Sequence, residues 1–187
     1  MKIAPLTKPL SFPIWRLVVN ILLIGSGGRE HALAWKISRS PDLKNLFIAP
    51  GNGGTALLGR NVDIKDDDID GIVHFAGANN IDLVVVGPEA PLVLGLADAL
   101  TRAGIACFGP CAFAAQLEGS KAFAKNMMRE TGVPTAAFEV FDQYEKALEY
   151  VRTHPLPVVI KADGLAAGKG VIIARTLEEA EQALRGM

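Results

Sequence analysis

Two stretches of this chain combine glycine with cationic side chains in a way that suits phosphate. They are Gly25-Ser26-Gly27-Gly28-Arg29-Glu30-His31 and Lys161-Ala162-Asp163-Gly164-Leu165-Ala166-Ala167-Gly168-Lys169-Gly170. Glycine lets the chain turn with unusual φ and lets an anion come close to the backbone. In the first stretch the loop leaves an apolar run and enters a helical pattern, so loop amides and a helix N-terminus face the same anion. Arg29 adds a charge-assisted contact. The dinucleotide fingerprint Gly-x-Gly-x-x-Gly is incomplete, because Glu30 holds its third glycine position. The next apolar run ends in Ala49-Pro50-Gly51-Asn52, without the acidic residue that would hold an adenosine ribose. Both departures favour a small phosphorylated ligand over a nicotinamide dinucleotide. The plainer alternative is a tight turn in which Arg29 pairs with Glu30 or Asp42. His31 is either a ligand contact or a helix-surface histidine.

The second stretch follows the apolar run Val158–Ile160 and leads into another, Val171–Ala174. A lysine emerging from a buried strand calls for an anion, because an unpaired buried ammonium is costly. Lys161 is therefore read as a phosphate contact, and Lys169 with the amides around Gly164, Gly168 and Gly170 as a cover over terminal phosphates. The order of residues is not that of a P-loop, and no helix follows directly. The alternative is a flexible hairpin with solvated lysines. Two more loops would reach the first site: Gly51-Asn52-Gly53, offering backbone amides and a carboxamide, and Gly87-Pro88-Glu89, offering a carboxylate to ribose hydroxyls or an amine. Glu89 has the competing reading of a helix cap.

Strand-length apolar runs alternating with amphipathic stretches must position these loops. Leu17–Ile24, Leu46–Ala49, Ile81–Val86 and Ile105–Phe108 read as strands, with helices over Glu30–Ser40 and Pro91–Ala103. The acidic stretch Asp63–Asp70 reads as a solvated loop and helix start, with metal binding through Asp66–Asp68 as the weaker alternative. Continuous Val/Leu/Ile runs indicate strands buried on both faces, hence a parallel sheet between helices. Right-handed crossovers put the loops after the strands on one sheet edge. A second unit opens with a helix over Gly119–Thr131, ended by Gly132-Val133-Pro134. A strand at Ala137–Phe141, a helix at Gln143–Arg152, strands at Val158–Lys161 and Val171–Ala174 and a helix at Leu177–Leu184 complete the pattern. The expected divisions are an extension at 1–18, an α/β substrate-binding domain at 19–118 and a further domain opening at 119–187.

Composition narrows the function classes. Of 187 residues half are hydrophobic and about a fifth charged, as in folded soluble proteins. The net charge of −1 gives no footprint for nucleic acid or an anionic membrane. Cys107 and Cys111 make neither a disulfide framework nor, with no Cys–His cluster nearby, a zinc site, and reduced thiols suit a cytoplasmic protein. The start of the chain imitates a signal peptide, with Lys2 and Lys8 before Leu17–Ile24. That run is interrupted by Asn20, lacks a cleavage site, and falls short of the ~20 residues that cross a bilayer.

Six segments in register carry a family resemblance: Gly-Ser-Gly-Gly-Arg-Glu-His-Ala (25–32), Ala-Pro-Gly-Asn (49–52), Val-Val-Gly-Pro-Glu-Ala-Pro-Leu (85–92), Phe-Gly-Pro (108–110), Ala-Gln-Leu-Glu-Gly-Ser-Lys (115–121) and Ile-Lys-Ala-Asp-Gly-Leu-Ala-Ala-Gly-Lys-Gly-Val (160–171). They closely resemble the phosphoribosylamine–glycine ligases, and the likeness spans 19–187. It implies a Rossmann-like, pre-ATP-grasp parallel-sheet domain followed by the first, incomplete portion of an ATP-grasp domain. It also implies a ligase of purine synthesis that takes 5-phosphoribosylamine, glycine and ATP, with Mg²⁺ or Mn²⁺. The loops at 25–31, 51–53 and 87–89 would bind the phosphoribosyl substrate, while Lys121, Lys161 and the loop around Lys169 would handle ATP.

Two departures from the family's pattern add expectations. Val19 stands where the family chain starts, so the leader reads as a start-site artefact. The family's acidic metal ligands lie beyond the position of Met187, so no metal ligand is assigned here and the chain alone is expected to have little or no ligase activity. Competing readings are a non-catalytic phosphoribosyl or nucleotide-binding module, another ATP-grasp ligase of the biotin-carboxylase kind, and, last, a nicotinamide dehydrogenase.

Overall fold

A computed structural model describes residues 18–165 and 170–187. The readings that concern 1–17, Gly168 and Lys169 lie outside the described residues. Five parallel strands form the first sheet: β1 (Val19–Gly25), β2 (Leu43–Pro50), β3 (Arg60–Asn61), β4 (Leu83–Val86) and β5 (Ala106–Phe108), in spatial order β3-β2-β1-β4-β5. Strand alternation divides the side chains of β1 between two cores. Leu22 and Ile24 join Val84, Val86, Ile72, Ala76, Leu96 and Leu100 on one face. Ile21 and Leu23 join Leu46, Ile48, Val85 and Ala34 on the other. Helix α1 (Gly28–Ile37) covers the second face, and α2 (Ile69–Ala78), α3 (Ala90–Val93), α4 (Leu96–Arg102) and α5 (Ala112–Gly119) supply the first. The result is the three-layer arrangement expected from strands apolar along their whole length, each fully buried aliphatic side chain contributing about 1.5–3 kcal/mol.

The order of strands reverses between β1 and β4. In an open parallel sheet that reversal opens a crevice at the carboxyl ends of the strands, because successive connections there leave toward opposite faces. The loops after β1 and β4 are the walls of this crevice.

The second unit contains α6 (Lys121–Thr131), α7 (Tyr144–Thr153), the antiparallel pair β6 (Val158–Lys161) and β7 (Val171–Ala174), and α8 (Leu177–Arg185). Thr176 opens α8 with a reciprocal capping box to Glu179. Val151 of α7 and Ala180 and Ala183 of α8 pack with Ile160 and Ala174 on one face of the hairpin. The other face, Val159 paired with Ile173 and Lys161 paired with Val171, is exposed.

Several local expectations need correction. The single helix at Pro91–Ala103 is two, α3 and α4, because Gly95 adopts φ +91° between them. Ala137–Phe141 has no ladder partner among the described residues. Instead the Lys125 ammonium holds Thr135 Oγ1 and the Ala136 carbonyl at 2.6 and 3.1 Å, and the Arg129 guanidinium lies over the Phe138 ring. The two-residue strand β3, the 3-10 turn at Thr55–Leu57 and helix α5 were not anticipated.

Candidate functional site

The loops after β1, β2 and β4 meet at the carboxyl edge. Gly51 N–H donates to the Gly25 carbonyl at 3.2 Å, and Gly87 N–H donates to the Ile24 carbonyl at 3.1 Å. Glu30 is the brace beneath them. It is only 4% exposed, and its Oε2 accepts the Gly27 N–H at 2.7 Å. A Cβ on Gly25, which has φ +120°, would lie 2.7 Å from Glu30 Cγ and 2.9 Å from Pro88 Cδ, and one on Gly87 would overlap the Glu30 carboxylate. Glu30 thus occupies the place of a dinucleotide fingerprint's third glycine and fills it with a buried side chain.

Arg29 crosses the crevice mouth. Its Nη1 donates to the Gly87 carbonyl at 2.6 Å and to Glu89 Oε1 at 2.8 Å, while its Nε stands 3.9 Å from Glu30 Oε1. The anticipated turn-type pairing with Glu30 is therefore the longer contact, and Glu89 makes no side-chain cap on α3. More than half of the Arg29 side chain remains exposed, so the guanidinium can reach a ligand at the rim without leaving Glu89. The hydrogen bond from its own backbone N–H, then the one from Arg29, hold the Glu89 carboxyl below its ordinary 4.5. A depressed carboxyl contributes stability above its unfolded pKa and loses that contribution as pH falls through the folded value. A Glu89 titration followed by carboxyl NMR is expected to have a midpoint below 4.5. In Arg29→Met the midpoint should move upward, and an unmoved midpoint would show that the pair does not form in solution.

Asn52 ties the second loop to the first. Its Nδ2 donates to the Ser26 carbonyl at 2.8 Å, and its Oδ1 accepts the Gly54 and Thr55 amides at 2.8 and 3.0 Å. Behind it Thr55, fully buried, accepts the Asn52 N–H at 2.7 Å and reaches Asn61 Oδ1 at 2.8 Å. Asn61 Nδ2 returns to the Asn52 carbonyl at 2.8 Å. Gly51, at φ +73°, leaves no room for a Cβ beside Asn61. Thr55 and Asn61 were missed, although Asn followed by Gly-Gly-Thr is a side-chain turn signal. Thr55→Val keeps the shape, removes the hydroxyl, and is expected to lower stability by about 2 kcal/mol, because buried polar partners lose their bonds. Urea unfolding followed by circular dichroism measures this, and an unchanged midpoint would contradict it.

Not every glycine here is required by packing. A Cβ on Gly28 or on Gly53 would meet nothing within 4 Å, and neither residue has a positive φ. Gly28 opens α1, whose first amides have no intrahelical partner. His31 lies on the same turn, exposed, with its ring about 3 Å from where a Cβ on Gly54 would be. The structure thus brings Gly25, Gly27, Gly28, Arg29, Glu30, His31, Gly51, Asn52, Gly53, Gly87, Pro88 and Glu89 to one edge, with Glu30 and Asn52 bound into the framework.

In the second unit, Lys121 begins α6 and its Nζ donates to the Gly164 carbonyl at 2.7 Å. Asp163 accepts the Ser120 hydroxyl at 2.9 Å and the Ala122 amide at 3.1 Å. Partial burial pushes the Asp163 pKa up, but hydrogen bonds led by the Ala122 amide and the Ser120 hydroxyl outweigh it and leave the carboxyl below its ordinary value. Lys161 corrects the desolvation argument made from sequence. It is exposed, on the bare hairpin face with Val159, Val171 and Ile173, rather than buried. Among the described residues no group of three or more His, Cys, Asp or Glu side chains is placed to hold a metal ion.

A Rossmann-like sheet with its loops gathered at a switch-point crevice, followed by a lysine-bearing hairpin backed by two helices, has the layout of a parallel-sheet α/β unit joined to the opening of an ATP-grasp unit. Family comparison agrees. Residues 19–118 match the phosphoribosylglycinamide synthetase N domain, and residues 119–187 match the ATP-grasp (A) domain of the same enzymes. The chain belongs to the phosphoribosylglycinamide synthetase family. It is 58% identical over 171 residues to the phosphoribosylamine–glycine ligase of Allochromatium vinosum, covering 90% of this chain and 40% of that protein. The crystal structure of phosphoribosylamine–glycine ligase from Thermotoga maritima superposes with a TM-score of 0.69 at 33% identity, over 88% of this chain and 38% of that one. N5-carboxyaminoimidazole ribonucleotide synthetase from Thermus thermophilus shares the fold, with a TM-score of 0.65 at 24% identity over 89% of this chain and 43% of that one. The chain spans about 40% of the length of the curated relatives it matches.

Proposed function

We propose that this chain carries the phosphoribosyl site and the first nucleotide-binding lobe of a cytoplasmic ligase that joins glycine to 5-phosphoribosylamine. In that reaction ATP transfers its terminal phosphoryl group to the glycine carboxylate, releasing ADP. The substrate amine then attacks the acyl phosphate, forming the amide of glycinamide ribonucleotide and expelling phosphate. The division of labour falls between 19–118 and 119–187.

The observation that carries this reading is the unconstrained glycine Gly28, at the start of α1, next to the exposed Arg29 guanidinium at the switch point, with the equally unconstrained Gly53 in the neighbouring loop after β2. There the α1 amides and Arg29 would hold the substrate's phosphate, and Glu89 would orient its ribose hydroxyls or amine. Lys121 and Lys161 would neutralise nucleotide phosphates, which is the main help a protein gives to phosphoryl transfer. Val159, Val171 and Ile173 offer an apolar floor for a base. Gly164 and Gly170, with Gly168 and Lys169, belong to the same nucleotide reading. Among the described residues no group of three or more His, Cys, Asp or Glu side chains could hold the accompanying Mg²⁺ or Mn²⁺.

Calorimetric titration tests the two halves separately. Ribose 5-phosphate, a stable stand-in for phosphoribosylamine, and MgADP are each expected to bind one to one, while NAD gives no heat. A correctly folded chain that ignores ribose 5-phosphate would remove the phosphoribosyl reading. Gly28→Ala is expected to leave stability unchanged or raise it by up to about 1 kcal/mol, since alanine is the better helix former. The same change should weaken ribose 5-phosphate binding, and undiminished affinity would move the phosphate elsewhere.

A further inference from the structure

Asp163 stands outside the roles assigned so far, yet it joins segments more than 40 residues apart in sequence. Its carboxylate takes the Ser120 hydroxyl and the Ala122 amide, while Ser120 itself caps α6 by accepting the Phe123 amide at 3.0 Å. One residue further on, the Gly164 carbonyl takes the Lys121 ammonium at 2.7 Å. The turn leaving β6 is therefore clasped to the first turn of α6 at two successive residues, once by an anion and once by a cation. The positive end of the α6 dipole reinforces the first of these.

The clasp has a geometric consequence. Lys121 stands on α6 and Lys161 on β6, and neither α6 nor the chain before it forms a ladder with that strand. A long, flexible ammonium side chain can reach one carbonyl from many rotamers, so it does not set a helix against a strand by itself. A carboxylate that accepts a hydroxyl and an amide from one helix end does fix that placement. We propose that Asp163 is a positioning residue for nucleotide: it sets Lys121 against the strand end that bears Lys161, so that both ammonium groups serve one polyphosphate. The inference rests on the nucleotide reading of Lys121 and Lys161 given above.

The test separates positioning from simple helix capping. Asp163→Asn keeps the volume but replaces one acceptor oxygen and removes the charge. In the 187-residue chain it is expected to speed hydrogen exchange at the Ala122 amide about tenfold and to weaken MgADP binding by a similar factor. Lys121→Met should weaken MgADP binding too, and the two losses should fall short of additive, because the first change already misplaces the second group. Pairing Ser120→Asp with Asp163→Ala, which leaves no side chain at 163 to bridge, restores a strong N-cap to α6 without the tie to the β6 turn. That double variant should regain slow exchange in α6 but not MgADP affinity.

If it regains both, Asp163 is a helix cap and the positioning role is overturned. Unchanged exchange at Ala122 in Asp163→Asn overturns the clasp itself, as do strictly additive losses with Lys121→Met. Failure of the unaltered chain to bind MgADP overturns the nucleotide reading and the positioning role with it. The exchange measurement then still decides whether the clasp exists.

Discussion

Replacing Gly87 with alanine is expected to destabilise the five-stranded unit by about 3 kcal/mol, as a fall in the urea midpoint with the denaturant slope unchanged. The physical chain begins at Glu30, a carboxylate packed beneath the glycine loops at 4% exposure. Its Oε2 holds the Gly27 amide, and its aliphatic stem lies against the positions of Gly25 and Gly87. An added methyl at Gly87 would lie 2.6 Å from Glu30 Cγ and closer still to Oε1. Neither neighbour can yield cheaply. Moving the carboxylate breaks its part-buried, charge-assisted bond to the Gly27 amide, and moving the loop breaks the Gly87 bond to the Ile24 carbonyl. Overpacking costs about 1–3 kcal/mol and loss of a charged hydrogen bond about 1.5–3, so their partial sum is near 3. Combining Gly87→Ala with Glu30→Ala should recover part of the loss by vacating the space, although Gly27 then lacks its partner. Stability unchanged in the single variant would mean that Glu30 is not held where the structure puts it.

The contrast with Gly28 shows what the sequence could and could not convey. Both residues lie in turns after buried strands, and both read from sequence as parts of the phosphoribosyl site. Only the fold separates a glycine required by a neighbouring side chain from one beside open space. The strands themselves were legible because Ile21–Ile24 and Leu83–Val86 are apolar without interruption, which requires cover on both faces. The common edge of the three loops followed from the handedness of crossovers. The two-residue β3 was not legible, since no periodicity is measurable over so short a run. Nor were the Arg29–Glu89 and Asp163–Ala122 bonds, which join residues 60 and 41 apart. Lys161 shows a different limit. Its neighbours in sequence are apolar, but the strand's second face is bare, so local hydrophobicity did not predict burial.

The second large effect is on affinity. Arg29→Met is expected to weaken ribose 5-phosphate binding roughly tenfold to a hundredfold while leaving the unfolding midpoint in place. The affinity range corresponds to the 1.5–3 kcal/mol typical of a hydrogen bond to a charged group. Stability should hold because the Arg29–Glu89 pair is exposed on both sides, and exposed pairs contribute little. Arg29→Lys should fall between, since an ammonium keeps the charge but not the planar fork that reaches Gly87, Glu89 and an incoming phosphate together. Added salt should weaken binding by the unaltered chain more than by Arg29→Met, because the exposed guanidinium is open to screening. The same two substitutions should leave MgADP binding untouched, as Arg29 belongs to the first unit and Lys121 and Lys161 to the second. If Arg29→Met binds ribose 5-phosphate as tightly as the unaltered chain, Arg29 is a loop strut to Gly87 and Glu89 alone. If it loses MgADP binding as well, the two loops do not serve separate anions.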